Sequence, residues 1–189
     1  MLETLQPADV VMAVGWLALC LTRQGRADEP REVLLEQGER IQRYGIAGYF
    51  LRAFRVAEAR QALMDAEQAQ GTRRRKALKK AKAACRALHK VGRADICGMV
   101  AAQRMDGTYA WVCGRRRRAE NCWRSSLALA ARLGARYEGA LTELEMGRQL
   151  GDRLALERAQ AAFEAMGAEH DLPQARVWLE QTARVLQDA

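Results

Sequence analysis

Four consecutive arginines, Arg115 to Arg118, stand between Trp111 and Trp123 and between Cys113 and Cys122. Guanidinium groups are natural partners of phosphate and carboxylate, so the first question is whether this run closes on an anion. Four successive residues on a helix sweep around nearly the whole cylinder, so the run cannot form one four-fold clamp. Arg115 and Arg118 share a face, and the other two diverge. Gly114 before the run and Ala119 after it fit a turn leading into a helix, with Trp123 as a core aromatic. Tyr109 and Trp111 lie near the end of the preceding helix. One of them is expected to pack, the other to face the groove. The stretch therefore reads as an interhelix turn with a basic rim.

Groups for catalysis are sparse. His89 and His170 are the only histidines. There is no Gly-x-Ser-x-Gly elbow and no His-Glu-x-x-His. Asp106 before Gly107 reads as a kink in a helix rather than as a general base. Glu143 and Glu145 are two apart and cannot share a helical face. No catalytic residue is assigned, and the chain is not expected to be an enzyme. Cys85 and His89 share a face at i, i+4, but no matching second pair follows, so no metal is expected. Nor does any glycine loop cradle phosphates, so no cofactor is expected. The five cysteines are odd in number and irregularly spaced. They read as free thiols of a reducing cytoplasm, not as a disulfide framework.

Charge is the strongest physical signal. The formal net charge of +8 sits in the middle of the chain, because residues 73–93 hold ten Lys/Arg and no acid. On a helical wheel Arg75, Lys76, Lys79, Lys82, Arg86 and Lys90 fall on one side. Leu78, Ala81, Ala84, Cys85 and Leu88 fall on the other. Such a stripe suits phosphates, with steep salt dependence, or an acidic protein surface, with faster docking by steering. It also suits plain solvation. No aromatic side chain lies within it to stack on bases, which weakens the nucleic-acid reading.

The elements that would position these groups are helices. Apolar residues make up 49% of the chain, prolines number three, and runs of Val, Ile and Thr are nearly absent. The twelve-residue apolar run Val10 to Leu21 is too short for a membrane span, which needs about 20 residues. It predicts a helix buried on most sides, ending near Gly25, with something packed on both faces: a neighbouring domain or a second copy. Pro30 opens a second helix that stops near Gly45. A third is predicted over Ile46 to Gln70, with Phe50, Phe54, Ala57 and Leu63 inward. Thr72 is placed as N-cap of the fourth, which ends near Gly92. The fifth covers Asp95 to Cys113. The sixth carries the stripe Ala119, Cys122, Trp123, Ser126, Leu127, Ala130, Leu133. The seventh buries Tyr137, Ala140, Leu141, Leu144 and Gly147. The eighth buries Ala155, Ala159, Ala162, Phe163 and Met166. The ninth uses Ala175, Trp178, Leu179, Thr182 and Leu186.

The signals recur. Ala77, Ala119 and Ala159 are each followed four residues on by Ala81, Trp123 and Phe163, and then by a helix end at Val91-Gly92, Leu133-Gly134 and Met166-Gly167. A period of this length marks stacked helix pairs. The unit Thr142 to Pro173 resembles a degenerate tetratricopeptide repeat: Met146-Gly147, Leu150, Ala159, Phe163 and Pro173 stand at or near its signature places, while Glu143 replaces its tryptophan. Residues 94–180 are also similar to the C-terminal helical region of large bacterial signalling proteins carrying a kinase, nucleotide cyclase or regulatory ATPase. The resemblance implies an all-α, right-handed α-solenoid of antiparallel pairs, about nine helices. One domain, 1–189, would hold pairs at roughly 6–45, 46–92, 94–134 and 136–167 and a capping helix at 172–187. The implied function is a non-catalytic, cytoplasmic interaction scaffold in signalling. Its partner would be a protein or a neighbouring domain, met through Arg75, Lys76, Lys79, Lys82, Arg86, Lys90, Arg115, Arg118, Tyr109 and Trp111. The alternative is nucleic acid or another polyanion on 73–93. No membrane partner is expected, and the N-terminal helix would suit a homodimer.

Overall fold

The computed structural model describes residues 6–24, 26 and 28–187. Among them the chain is all-helical, with no strand, and consecutive helices pack on one another. The nine α-helices are α1 (Pro7–Arg23), α2 (Pro30–Tyr44), α3 (Arg52–Gln68), α4 (Gly71–Ala94), α5 (Ile96–Val112), α6 (Arg116–Leu133), α7 (Arg136–Leu150), α8 (Arg153–Met166) and α9 (Leu172–Gln187). A short 3-10 turn, Gly48–Leu51, precedes α3. The chain divides into two compact units, Met1–Met105 and Asp106–Ala189, with the boundary inside α5. The expected stop at Gly25 lies outside the described residues, as does the side chain of Leu186.

In the first unit α1 packs on α2 and α3, and α3 packs on α4. The core holds Val11, Ala18, Leu34, Ile41, Phe54, Ala59, Leu63, Ala81 and Leu88. The approach of α1 to α3 is backbone against backbone, since a methyl group on Gly15 would run into the main chain of Ala53 and Phe54. A helix crossing that close needs a residue with no side chain, which explains a glycine in the middle of an apolar helix. Gly92 serves the same end. It does not terminate α4, which runs on to Ala94, but sits where an added Cβ would be 3.0 Å from the Met99 backbone. Asp95 then closes α4 and opens α5. Its carboxylate pairs with Arg52 at 2.9 Å and accepts from the Cys97 amide at 3.2 Å.

Two other expectations for this unit are corrected. No continuous helix starts at Ile46. Ala47 is extended, Gly48 has a φ of +75°, and the 3-10 turn puts Phe50 edge-on to Tyr49 at the surface, so that Phe54 alone of the two phenylalanines enters the core. Thr72 does not cap α4. The helix already begins at Gly71 after an extended Gln70, with no side-chain cap bond.

In the second unit α6 packs on α7, α7 on α8, and α8 on α9. One cluster gathers Ala140, Leu141, Leu144, Leu156, Ala159, Phe163 and Ala175. A second gathers Ala110, Ala119, Trp123, Met146 and Ala155. The recurring positions are thus core: Ala81, Trp123 and Phe163 are all fully buried. In α6 the inward stripe ends on Leu129 and Ala130, while Leu133, expected there, stays outside beside the helix end. A hydroxyl pair, Ser126 to Thr142 at 3.0 Å, joins α6 to α7 inside the core, and Thr142 also donates to the Glu138 carbonyl. Asp106-Gly107 does not break α5. The helix passes through both residues, and the missing Cβ of Gly107 leaves the space that the edge of the Trp123 indole fills.

Candidate partner-binding surface

The basic residues of α4 are held in line by the burial of the opposite face. Ala81, Ala84, Cys85, Leu88, Val91 and Gly92 are buried, and α3 lies against the helix. This fixes the rotation of α4 and turns Arg75, Lys76, Lys79, Lys82, Arg86 and Lys90 outward, all exposed. From Arg75 to Lys90 the line is about 22 Å long at the helical rise of ~1.5 Å per residue. None of the six has a carboxylate within ion-pairing distance among the described residues.

Many arginines elsewhere are matched with acids, although among the described residues the run Arg115 to Arg117 is not. Arg31 reaches Asp65 at 2.7 Å and Arg55 reaches Glu58 at 2.7 Å. Arg153 meets Glu157 at 2.8 Å and Arg176 meets Glu164 at 3.4 Å. Arg158 grips Glu143 through two bonds of 2.9 Å. The last pair is informative. Glu143 stands where the repeat resemblance has tryptophan, and it joins α7 to α8 by an ion pair instead of a ring. The hydrogen bond to Glu143 is the largest influence and pushes the Arg158 guanidinium above its ordinary range; burial opposes it, and the charges of Glu143 and Asp152 add to the rise.

The arginine run lies after a well-formed helix end. The Gly114 amide donates to the Trp111 carbonyl at 2.7 Å and the Arg115 amide to the Ala110 carbonyl at 2.9 Å, with Gly114 at a φ of +74°. This paired pattern with a left-handed glycine is a Schellman motif, and it turns the chain sharply into α6. All four arginines are exposed. Arg115 is not helical, so its pairing with Arg118 on one helical face does not describe it. The residue over the Trp111 ring is Arg116, 5.4 Å from the ring centre. Trp111 packs against Trp123, with ring centres 6.0 Å apart, and Tyr109 is half-buried. Arg118 bonds towards Cys122. Burial first, and then Asp106, push the Cys122 thiol up, and Arg118 only partly offsets them. A thiol held protonated is a poor nucleophile.

A second polar group lies inside the Asp106–Ala189 unit, and no local sequence pattern announces it. Glu145 on α7 accepts from Thr108 at 3.0 Å, Arg148 at 3.1 Å and Gln149 at 3.3 Å. Arg148 also lies over Trp178 of α9. Burial, the largest single influence, would raise the Glu145 carboxyl. The Arg148 charge and the hydrogen bonds of Arg148, Gln149 and Thr108 together outweigh it and hold the group below the ordinary range. Thr108 and Glu145 are far apart in the chain, so only folding pairs them.

Cys85 is buried, with its Sγ 3.9 Å from the Met105 carbonyl. Among the described residues no three His, Cys, Asp or Glu side chains converge as a metal site needs, and no helix is long and apolar enough to cross a membrane. Comparison of the chain with protein-family models, with curated proteins and with solved structures gives no significant match to any.

Proposed function

We propose that this protein is a non-catalytic partner-binding module, a tetratricopeptide-like stack of antiparallel helix pairs, and that its partner presents an acidic protein surface to α4. The observation that carries the reading is the row of six exposed cations on one helix face, none with a carboxylate in reach among the described residues, in a chain where many other arginines are matched with acids. Like charges three and four residues apart repel, by a few tenths of a kcal/mol per pair on a helix surface. A helix that keeps five such neighbours in one row gives up stability that a few glutamates would restore. Binding of an acidic surface recovers it, and charge steering speeds the encounter. The resemblance to the helical ends of bacterial signalling proteins suits a regulatory role of this kind, with the partner in another protein or another domain.

Nucleic acid is the competing occupant. Six charges over about 22 Å compare with one phosphate per ~3.4 Å along a strand. No aromatic residue lies between Gly71 and Ala94, however, so base stacking has no platform.

The test places a photo-crosslinking residue at Ala83, exposed beside Lys79, Lys82 and Arg86, in the cell that makes the protein. The expected adduct is one protein with an acidic contact segment, lost when Lys79, Lys82, Arg86 and Lys90 become glutamate. Binding of the purified chain to mixed-sequence DNA or RNA is measured in parallel. Tight binding that falls steeply with salt and vanishes in the same variant would replace the protein partner by a polyanion.

A further inference from the structure

α2 is held by a seam that is only partly apolar. Pro30, Leu34 and Ile41 are buried where the helix lies on α1 and α3. The expectation that both faces of α1 are covered is thereby half answered, since α2 and α3 close one side of it while Trp16 and Leu17 on the other stay exposed. Gln37 stands on the same buried stripe of α2, 3% exposed, and its side-chain oxygen has no hydrogen-bond partner among the described residues. The same holds for the side-chain oxygen of Gln61 on α3, 6% exposed, whose nitrogen donates to Asp65 at 3.1 Å. Arg31 in the first turn of α2 reaches the same Asp65 oxygen at 2.7 Å, so Gln61 lies one turn along α3 from the point where α2 is fastened. A carboxamide oxygen withdrawn from water without a donor costs free energy, whereas an apolar side chain of that size would stabilise the seam.

The helix itself does not make up the difference. Gly38 stands in its middle, and a Cβ built there meets nothing within 4 Å. Unlike Gly15, this glycine answers no close approach, and it weakens the helix relative to alanine. Glu29, before the first turn, makes no side-chain cap bond. At the other end the chain leaves α2 through two left-handed glycines, Gly45 at a φ of +60° and Gly48 at +75°, a joint that can absorb a change of direction. The rest of the unit is tied together without α2: Gly15 brings α1 onto the α3 backbone, and α3 lies against α4. We propose that α2 is a detachable strap, which undocks from α1 and α3 as a unit of its own, turning about Gly45 to Gly48, while α1, α3 and α4 stay packed. Undocking bares the apolar seats of Leu34 and Ile41, so the strap gates a surface that the closed protein hides. The Arg31–Asp65 pair that fastens it is partly open to water, with side-chain exposures of 46% and 26%, and it loosens with salt. The inference is independent of the occupant of α4.

The test is native-state hydrogen exchange of the full chain, read amide by amide in α2, α3 and α4 at a series of low urea concentrations. The inner amides of α2 should exchange at least about tenfold faster than those of the buried stretches of α3 and α4. Their rate should hardly respond to urea, because undocking one helix exposes little surface, while the rates in α3 and α4 climb with it. Gly38→Ala places its methyl group in open space, so the variant folds, and it should slow exchange in α2 about fivefold. Gln37→Leu makes the seam apolar and should slow it by at least a similar factor. Inner α2 amides that exchange at the rates of α3 and α4, with the same urea response, would show that α2 opens only with the whole unit and would overturn the proposal. Faster exchange of α2 in Gln37→Leu would overturn it as well, since Gln37 would then be holding the seam closed.

Discussion

Reversing two charges on α4 should make the isolated protein more stable while it weakens partner capture. Lys79 neighbours Arg75, Lys76 and Lys82 at helical steps of four, three and three, and Arg86 neighbours Lys82 and Lys90 at four. In Lys79→Glu with Arg86→Glu all five pairs change from like to opposite charge. Each pair is worth a few tenths of a kcal/mol with either sign, so a reversal gains about 0.4–1 kcal/mol per pair before screening. The pairs share side chains and do not add fully, and a net gain of about 1–2 kcal/mol at low salt is the reasonable sum. In a unit of this size that corresponds to roughly 5–10 °C in Tm. The assay is thermal unfolding by circular dichroism at low and at high ionic strength, without partner. The gain should shrink by half or more near 1 M salt, where the screening length falls to about 3 Å. A double variant that melts at or below the parent temperature at low salt would refute the claim that this face carries uncompensated repulsion.

Three further outcomes follow from the packing. Gly107→Ala forces the Trp123 indole to move; the overpacking of about 1–3 kcal/mol exceeds the helix-propensity gain of ~1 kcal/mol, so a net loss near 1 kcal/mol is expected in urea unfolding, with altered tryptophan emission. Glu145→Gln should destabilise by about 1–2 kcal/mol at pH 7 by leaving Arg148 and Thr108 poorly matched. Because the folded carboxyl lies below its unfolded value near 4.3, that contribution is complete above the unfolded pKa and fades as pH falls through the folded one. The two proteins should converge in stability in acid, and a gap that persists there would contradict the assignment. Ser126→Ala should cost about 1–2 kcal/mol, since Thr142 loses a partner inside the core, measurable by chemical denaturation.

The helices were legible because period and composition agree along most of the chain. The α4 face could be drawn from the sequence alone, since one strongly amphipathic helix carries all its evidence locally. The failures share a cause. Gly107 reads by propensity as a kink, but it is a place where another residue comes too near for a side chain. The Thr72 cap failed because the helix begins one residue earlier, at Gly71. Phe50 and Phe54 have the same chemistry, and only the turn at Gly48 decides which is inside. The Thr108–Glu145 bond and the Arg158–Glu143 pair link different helices, and no local pattern announces such partners.

The four tryptophans sit in four unlike surroundings, and this makes the protein its own spectroscopic reporter. Trp16 is the one tryptophan of the Met1–Met105 unit and is open to solvent, so its emission lies to the red. Trp111 and Trp123 are near enough for their indole transitions to couple, which gives a signed near-ultraviolet dichroism band that vanishes once α5 and α6 part. Trp178, under the Arg148 guanidinium, reports on the join of α7 and α9. The coupled dichroism band, followed in a melt, thus times the loss of the Asp106–Ala189 unit by itself, without a label or an introduced residue.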